Sequence, residues 1–582
     1  MCGIIAYSGK DNAVPYLVDG IKNLEYRGYD SFGCALIDKG DIIVRKDVGD
    51  TASVLNKYRI IKNFSNQGMF HTRWATHGGI SKENAHPLTD CKGEIAVVHN
   101  GIIENWQDIK ASLDRHRFVS QTDTEVIPHL LEERLSRGDS MERALRAVFN
   151  GIKGASSFVV MRKGDSNMYA VKHGAPLVLG LGKNGFFVSS DIPSFLKYTN
   201  RVVFLHDGDL VIFNQNSVRI KNLLNKKYKH DVHTVDISPG SLDKGKYRHF
   251  MLKEINEQSR LLKLFENYDF SKVRLAASKI RSAHRVYLVG AGSSFHAAAY
   301  GALILRKSGI DAIAIQGQDV QNFSRLFERN DVFVIISQSG ETADLIRSLQ
   351  LMNGFRIGII NTEGSYLSRN VDLVINMMAG IEKAVAATKS FMNTMILLEM
   401  INSYANGSSE SAMHDLKLLN LNLYSLFVPS VLSAIKRIAE ELKDDGDIFY
   451  VGRDYGYLIS LEGALKMKEV SYIHAEAFDL STIKHGPLAL ISQGSKVIAS
   501  VTEPVEETFY GLEEIKARGG HIIGISPSNS TVFDEFVHVP EAGVFSFVPL
   551  VIVAQLISYY TAVKRGINPD KPRNLAKSVT VN

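Results

Sequence analysis

The chain is poor in cysteine and lacks an excess of charge of either sign. Its 582 residues include three cysteines, Cys2, Cys34 and Cys91. A sparse, odd number of cysteines does not make a disulfide framework, so we expect a reducing compartment and a cytoplasmic location. Lysine and arginine total 67 against 62 aspartate and glutamate residues, a net charge of +5. So small a charge gives no argument for nucleic acid as a partner and leaves room only for a local anion site.

We also predict no secretory signal, because the first residues of the sequence do not combine a basic region with a long apolar run. One segment, 543–563, is uncharged and long enough to span a bilayer. It is interrupted by Pro549, Gln555 and two serines, and the rest of the chain has the composition of a soluble protein. We therefore predict a buried helix here and no membrane partner.

Hydrophobic residues make up 45% of the chain and charged residues 22%, which is typical of globular proteins and excludes wholesale disorder. Up to about residue 235, short apolar runs alternate with turn signals and predict an α+β domain built on antiparallel sheets. Pro239, Gly240 and Gly245 then mark a linker, and the remainder alternates strand-like and helix-like segments.

The second half repeats one order of elements. VYLVGAG, DVFVIISQSG and RIGIINTEGS return as IFYVGRD, KVIASVTEP and HIIGISPSNS, so that Gly290 corresponds to Gly452 and Ser337 to Ser500. The repeat predicts a duplicated α/β unit with a parallel sheet in each copy. A long helical stretch over residues 411–442 is predicted to join the copies.

The N-terminal half carries a series of short motifs that begins at Cys2. Removal of Met1 would leave the Cys2 thiol beside a free α-amino group, which can act as its base. Five motifs then follow in order, namely EYRGYDS (25–31), HTRWATHG (71–78), NAHP (84–87), HNGIIEN (99–105) and TDTE (122–125).

Each motif residue has an ordinary interpretation when it is taken alone. Asn100-Gly101 between apolar runs is typical of a type I′ hairpin turn. Arg73 could form a surface ion pair of little energetic value, and His77 and His86 could be loop residues without a function. The ordered occurrence of all the motifs behind Cys2 favours a catalytic interpretation.

These motifs resemble the N-terminal-nucleophile glutamine amidotransferases, whose fold is an αββα sandwich. The resemblance implies that Cys2 attacks the amide carbon of glutamine. It places Asn100 and Gly101 in the oxyanion hole, where their N–H groups would meet the developing negative charge. The implied glutamine-binding residues are Arg73, Trp74, His77, His86 and Asp123.

In the repeated half, VYLVGAGSSF has Phe295 where a dinucleotide loop needs its third glycine, so that motif is incomplete. The hydroxyl-rich SQSGET (337–342) follows a predicted strand and indicates a phosphate site, although a polar helix cap is the alternative. The second copy has SVTEP (500–504) at this place, so we predict that only the first copy holds phosphate well.

Three charged residues of the second copy, Glu462, Lys466 and Glu469, share one stripe of a predicted helix. A row of surface ion pairs is the ordinary interpretation. The functional alternative is a buried cluster of an amine and carboxylates that faces a substrate.

The whole chain, from the amidotransferase motifs through KGKYRHFMLKEI and two sugar isomerase domains to DKPRNLAKSVTV, resembles the isomerising glutamine–fructose-6-phosphate aminotransferase family. The resemblance implies that L-glutamine and D-fructose 6-phosphate become L-glutamate and D-glucosamine 6-phosphate, without metal or organic cofactor, in a homodimer. The domains it implies are a glutaminase (2–235), a linker (236–250), two sugar isomerase domains (251–424 and 425–566) and an active-site tail (567–582).

The same resemblance implies roles in the second half. Lys577 would form a Schiff base with the C2 carbonyl, and His485 of the partner subunit would promote ring opening. Glu469 would move a proton between C1 and C2 with help from Lys466. The implied contacts to the sugar phosphate are made by Ser294, Ser337, Gln338, Ser339, Thr342 and Val385.

Two alternatives stay open from the sequence. The acceptor could be another keto-sugar phosphate, because the same hydroxyl-rich loop would serve both sugars. The chain could also be a phosphosugar sensor without catalytic activity, although a sensor would need none of Cys2, Glu469 and Lys577, which are all present.

Overall fold

The computed structural model describes residues 2–235, 242–502 and 505–578. The chain divides into two compact units, one formed by the residues up to Asp243 with the C-terminal stretch from Ala576, and the other by Lys244–Leu575. The boundary after Asp243 falls inside the predicted linker 236–250, of which residues 236–241 lie outside the described part.

The first unit contains two antiparallel sheets. Its strands are β1 (Gly3–Gly9), β2 (Ser31–Asp38), β3 (Asp41–Val48), β4 (Gln67–Arg73), β5 (Leu88–Thr89), β6 (Ile95–Gly101), β7 (Ser156–Arg162), β8 (Met168–Val171), β9 (Val178–Leu181), β10 (Gly185–Ser189), β11 (Arg201–Phe204), β12 (Asp209–Phe213), β13 (Val218–Asn222) and β14 (His233–Thr234). One sheet has the order β14-β11-β9-β10-β1-β4-β2-β3 and the other β13-β12-β8-β7-β6-β5.

Helices cover the outer faces of the two sheets. They are α1 (Ala13–Lys22), α2 (Thr51–Lys57), α3 (Trp106–Ser112), α4 (Val126–Ser136) and α5 (Met141–Gly151). One apolar core lies between the sheets and joins Ile4 and Ala6 of β1 to Val98 of β6. A second core packs α4 and α5 on the other face of the smaller sheet, and α1 contacts β1 and β4. The predicted αββα sandwich is therefore confirmed.

The second unit contains two parallel sheets. Its strands are β15 (Val286–Gly290), β16 (Ala312–Gln316), β17 (Val332–Ser337), β18 (Phe355–Ile360), β19 (Leu373–Asn376), β20 (Asp447–Gly452), β21 (His474–Asp479), β22 (Lys496–Ser500), β23 (His521–Ser526) and β24 (Glu535–His538). The orders β16-β15-β17-β18-β19 and β21-β20-β22-β23-β24 are the same topology, with all neighbours parallel. The predicted duplication is confirmed: Gly290 and Gly452 end equivalent strands, and so do Ser337 and Ser500.

Helices flank both of these sheets. They are α6 (Phe250–Glu266), α7 (Ser271–Arg281), α8 (Ser293–Lys307), α9 (Val320–Phe323), α10 (Ala343–Ser348), α11 (Tyr366–Asn370), α12 (Lys389–Asn406), α13 (Ser409–Asn422), α14 (Pro429–Leu442), α15 (Tyr455–Ser471), α16 (Glu506–Lys516) and α17 (Phe547–Lys564). One continuous apolar core contains residues of both sheets and of the helices between them.

The stretch predicted to be helical over residues 411–442 is helical for most of its length, but it is divided into two helices. α13 ends at Asn422 and α14 begins at Pro429, and the pair is bent by 61°. Proline disfavours helical backbone in the residue before it, and Val428 is accordingly extended.

The uncharged C-terminal segment forms the buried helix that its sequence predicts. In the part of the chain that the structure describes, Gly543–Lys564 has the length and hydropathy of a membrane span, but 78% of its most hydrophobic window is buried inside the protein. Gln555 of this helix is fully buried and accepts a hydrogen bond from Gln258 Nε2 at 2.7 Å. Its polar side chain is thus satisfied within the core, as burial requires.

Candidate functional site

Cys2 lies where three strands of the first unit meet, just before β1. Its Sγ accepts a hydrogen bond from the Trp74 N–H at 3.3 Å, directly after β4. Its carbonyl oxygen accepts from Arg27 Nε at 3.2 Å and from Asn100 Nδ2 at 3.1 Å, the latter at the end of β6. Antiparallel pairing of β1 with β4 sets Gly3 opposite Thr72 and so fixes the thiol beside the HTRWATHG segment.

Asn100 and Gly101 are strand residues, so the hairpin-turn interpretation of this pair is wrong. They end β6 and lie opposite Ser157 and Ser156 of β7. The Asn100 side chain is buried and also donates to Ser190 Oγ at 2.7 Å. Gly101 has a φ of +128°, and a Cβ there would lie 1.9 Å from the carbonyl oxygen of Ala155, the residue before β7. Only glycine fits this close approach.

Arg73 is buried at the end of β4, so its interpretation as a surface ion pair is also wrong. The guanidinium donates hydrogen bonds to the carbonyl oxygens of His77, Gly78 and Gly79, the last two at 3.1 and 3.2 Å. Burial lowers the pKa of Arg73, against the opposing effect of negative charge that includes Asp123. An arginine remains charged under such conditions, so the loop after β4 wraps around a fixed positive charge.

Asp123 supplies a buried negative charge near this arginine. It is 4% exposed, and its Oδ2 accepts a hydrogen bond from the Ile103 N–H at 2.7 Å. The TDTE motif is thereby tied to the segment that follows the end of β6. Trp74 and His77 lie on the half-buried loop after β4, and the Trp74 ring meets that of Tyr29 edge-on at 6.2 Å.

Three buried imidazoles support this arrangement, and the sequence analysis singled out only His86. The His86 ring lies 4.3 Å from that of His71, and its Nδ1 accepts from the His99 N–H at 3.4 Å. Nε2 of His71 hydrogen-bonds the carbonyl oxygen of His99 at 3.1 Å, and Nδ1 of His99 lies 2.7 Å from Thr124 Oγ1. His71 and His99 are the first residues of the HTRWATHG and HNGIIEN motifs, but nothing in the sequence shows that their rings are brought together.

Burial keeps these imidazoles neutral. It lowers the pKa of His71 to about 3 and lowers the pKa values of His86 and His99 from their ordinary range. Neutral rings can stack and accept hydrogen bonds without bringing a further positive charge next to Arg73.

In the second unit, Lys466 is completely buried on α15 between two carboxylates. Its Nζ lies 2.6 Å from Glu469 Oε2 and 3.3 Å from Glu462 Oε1. Burial by itself lowers the pKa of Lys466, but the two carboxylates outweigh it and hold that pKa above its ordinary value. The surface ion-pair interpretation of this stripe is wrong, because Lys466 and Glu462 are buried, whereas a role facing a substrate stays a prediction.

The cluster extends to the first copy of the duplicated α/β unit, through residues that the sequence analysis did not place in a site. Ser293 Oγ donates to Glu462 Oε1 at 2.9 Å, and His296 Nδ1 lies 2.8 Å from Glu462 Oε2. Lys466 Nζ donates to Ser293 Oγ at 3.2 Å. Ser293 and His296 share one face in the first turn of α8, an i, i+3 spacing that the sequence could have revealed.

The SQSGET segment forms a tight loop after β17. Ser337 Oγ lies 3.1 Å from Thr342 Oγ1 and accepts the Gly340 N–H at 3.0 Å. Ser339 Oγ accepts a hydrogen bond from the Glu341 N–H at 3.1 Å. The Gln338 carbonyl oxygen accepts one from the Thr362 N–H, which follows β18. The following helix, α10, has six residues.

The remaining predicted residues lie at other places. Ser294 is in the first turn of α8, where Gly290 allows close approach: a Cβ at Gly290 would lie 2.5 Å from the Ser294 backbone. Val385 is buried before α12, and His485 is exposed in a short helical turn. Lys577 groups with the first unit. In the SVTEP segment, residues 503–504 lie outside the described part.

Comparison with known proteins agrees with both units. A family model described as a glutamine amidotransferase domain matches residues 71–197, and the SIS domain model matches residues 279–403 and 441–565. The glutamine–fructose-6-phosphate aminotransferases (isomerizing) of Pyrococcus horikoshii and Thermococcus kodakarensis are each 38% identical to the chain, over 100% of both sequences. The solved C-terminal domain of glucosamine-fructose-6-phosphate aminotransferase from Francisella tularensis is 28% identical, covering 57% of this chain and 99% of its own, with a TM-score of 0.52.

The fold and these matches define a glutamine amidotransferase joined to two sugar isomerase domains. The aminotransferases that are 38% identical to the chain over its full length narrow this class to one family. The chain belongs to the isomerizing glutamine–fructose-6-phosphate aminotransferase family.

The neutral state of His71 predicts a pH dependence of stability. Its pKa of about 3 in the folded chain lies below the unfolded value of about 6.5. The unfolded chain therefore binds the extra proton below about pH 6.5, and stability falls as the pH drops from there toward 3. In His71→Gln, the loss of unfolding free energy between pH 6.5 and 5 should be smaller, by up to about 1.4 kcal/mol per pH unit. Denaturant unfolding at several pH values measures this loss.

The matched control for this experiment is His233→Gln, which replaces an exposed imidazole of the same unit. It should leave the pH dependence as in the wild type. An unchanged slope in His71→Gln would show that the His71 imidazole is not the group responsible.

Proposed function

We propose that the chain is an enzyme that makes D-glucosamine 6-phosphate and L-glutamate from D-fructose 6-phosphate and L-glutamine. The observation that carries this proposal is the presence, in one chain, of the Cys2 cluster and of two sugar isomerase domains that share a buried carboxylate–amine group. Full-length similarity to aminotransferases of this name supports it. A phosphosugar sensor or another acceptor is not favoured by these similarities.

In the first unit, Cys2 is the proposed nucleophile after removal of Met1. Its thiolate attacks the amide carbon, the freed α-amine takes the thiol proton and passes it to the leaving ammonia, and water then hydrolyses the thioester to glutamate. The hydrogen bond from Asn100 Nδ2 to the Cys2 carbonyl oxygen supports an oxyanion hole at the end of β6, where Gly101 follows Asn100.

The charges around Cys2 suit the α-amino-acid end of glutamine. Arg73 offers a guanidinium fork for the α-carboxylate, and Asp123 offers a carboxylate for the α-ammonium group. Both are buried and are held by backbone hydrogen bonds, so their orientation is fixed before substrate binds. We assign Trp74, His77 and His86 to the loops that enclose the same pocket.

Cys2→Ala should reduce glutamine-dependent synthesis by more than about 10³-fold, because the nucleophile is lost. Synthesis from fructose 6-phosphate and ammonium should continue, because the sugar site does not need the thiol. Mass spectrometry of glucosamine 6-phosphate and glutamate measures both reactions.

The control is Cys34→Ala, which removes a buried thiol of β2 that lies outside the proposed site. This variant should keep glutamine-dependent synthesis. The assignment of Cys2 would be overturned by glutamine hydrolysis at the wild-type rate in Cys2→Ala.

In the second unit, we assign the phosphate and hydroxyl groups of the sugar to the loop after β17 and its neighbours. The proposed contacts are Ser294, Ser337, Gln338, Ser339, Thr342 and the backbone of Val385. Clustering of the Ser337 and Thr342 hydroxyls within 3.1 Å supports a polar anion site at this loop. Lys577 is the proposed amine that forms a Schiff base at C2, with loss of water, before ammonia displaces it.

Glu469 is the proposed base that removes a proton from C1 and returns one to C2. Its contact with the buried Lys466 ammonium orients the carboxylate, while the Glu469 side chain remains 21% exposed and can reach a substrate. Glu469→Gln should lower amino-sugar synthesis by roughly 10²–10⁴-fold and leave glutamine hydrolysis intact.

The exposed Glu476 of β21 provides the control for this variant, and Glu476→Gln should keep both activities. Parallel assays of glutamate and of glucosamine 6-phosphate separate the two half-reactions. Synthesis at the wild-type rate in Glu469→Gln would rule out Glu469 as the proton carrier.

We further propose a cytoplasmic homodimer in which His485 acts at the sugar site of the partner subunit. The exposure of the imidazole on a short surface turn supports this role. If it is correct, co-expressed Glu469→Gln and His485→Ala chains form mixed dimers in which one of the two sites is intact, and mixed dimers isolated from both parent dimers recover about half of the wild-type activity.

Tagged chains purified through both tags, followed by the synthase assay, provide the measurement. Each variant alone serves as the control and should show only its own low activity. The shared-site proposal would be refuted if mixed dimers form and recover no activity, because His485 would then act within its own subunit.

A further inference from the structure

A second cluster of reactive side chains lies in the first unit, apart from the residues assigned to glutamine. Cys91 follows β5, His116 follows α3, and His129 and Glu132 lie on α4. The four ligand atoms, one from each side chain, all lie within 4.8 Å of one another. Three segments that are distant in the sequence therefore converge on one point.

The separations between these atoms fit the edges of a tetrahedron around one metal ion. Cys91 Sγ lies 3.6 Å from Nδ1 of His116 and 3.6 Å from Nδ1 of His129. Glu132 Oε2 lies 3.1 Å from the first of these nitrogens and 3.5 Å from the second. Zinc bonds of about 2.3 Å to sulfur and about 2.0–2.1 Å to nitrogen and oxygen imply edges of about 3.5 Å.

The surroundings of the cluster resemble the outer shell of a metal site. The Cys91 Sγ accepts a hydrogen bond from the Arg117 N–H at 3.5 Å, and Glu132 Oε2 accepts from the Cys91 N–H at 3.1 Å. Nε2 of His129 faces Glu125 Oε1 at 3.7 Å. A carboxylate behind a metal-bound imidazole fixes the ring so that its other nitrogen points at the metal.

The cluster is buried enough to hold its side chains in place and open enough for a metal ion to enter. The His129 side chain is 1% exposed and its ring packs 4.5 Å from that of Phe118, so the imidazole is held in place. A surface cavity of about 770 Å³ is lined by Cys91, His116 and Glu132, which gives an ion a route of entry.

We propose that Cys91, His116, His129 and Glu132 form a structural zinc site. A thiolate and two imidazoles favour zinc over calcium or magnesium, which take oxygen ligands. The thiolate and the carboxylate together neutralise the two charges of Zn²⁺. Four protein ligands close the coordination sphere, which is typical of a structural site.

This zinc would tie together the segments that carry the glutamine-binding residues. α4 begins three residues after Asp123, and β6, which ends at Asn100 and Gly101, begins four residues after Cys91. The site contains none of the residues assigned to the reaction, so the proposal does not rest on the proposed function and concerns the stability of the first unit.

The test begins with the metal content of the full-length protein. After purification without a metal-affinity tag and dialysis against zinc-free buffer, plasma mass spectrometry should find about one zinc per chain. X-ray absorption at the zinc edge should show one sulfur at about 2.3 Å and three lighter atoms at about 2.0–2.1 Å. Cys91→Ser and His129→Ala should each lose most of the zinc.

Cys34→Ser is the matched control, because it removes a cysteine outside the cluster and should retain zinc. Chelation should lower the thermal unfolding midpoint of the wild type, and Cys91→Ser should not respond. If the variants fail to fold, cobalt titration of the metal-free wild type provides the second measurement, with a thiolate-to-cobalt absorption band as the expected result.

Three results would overturn the proposal. Wild-type protein could contain no zinc and give no cobalt band, which would make the cluster a hydrogen-bonded network only. Zinc could remain in Cys91→Ser at the wild-type level. It could also disappear in Cys2→Ala and persist in His129→Ala, which would place the metal at the glutamine site.

Discussion

The structure depends on one constraint: a buried charge or polar group must have partners within the protein. Lys466, with no exposed surface, meets this constraint through Glu462 and Glu469. Removing either carboxylate would leave a poorly compensated charge inside the second unit, which is far more costly than losing a surface pair. Arg73 of the first unit is held in the same way by the carbonyl groups of its own loop. Such groups cannot change position freely, and the geometry of both sites follows from that.

The two copies in the second unit have the same topology but contribute different side chains to the candidate site. Both copies have the same strand order, and the ends of equivalent strands carry the chemistry, as is usual in open parallel sheets. The first copy keeps the hydroxyl-rich loop after β17, and the second contributes the charged helix α15. Contacts of Ser293 and His296 with Glu462 join the two copies at one cluster. The copies have therefore diverged in side chains while the backbone arrangement has stayed the same.

The sequence predicted the larger features because they follow from periodic patterns. Alternating apolar runs gave the sheets, and the repeat gave the shared topology of the second unit. The sequence was a poorer guide to those residues whose conformation or role is determined by tertiary contacts. Asn100 and Gly101 carry the local signal of a turn, yet pairing with β7 keeps them in a strand. His71 and His99 look unremarkable along the chain, because their role comes from stacking between separate segments. The break before Pro429 follows from local chemistry, because proline disfavours helical backbone in Val428.

In the first unit, the need of buried polar groups for partners is met differently around Cys2 and around Cys91. Around Cys2, three imidazoles are kept neutral by burial, so that Arg73 and Asp123 remain the principal charges available to an amino acid. Around Cys91, by contrast, a thiol, two imidazoles and a carboxylate converge with their ligand atoms facing one another. Hydrogen bonds alone would have to satisfy four groups in a small volume, whereas one divalent cation would satisfy all of them at once. The demand for partners thus accounts for a site built to receive an amino acid and for a second one whose chemistry fits a metal.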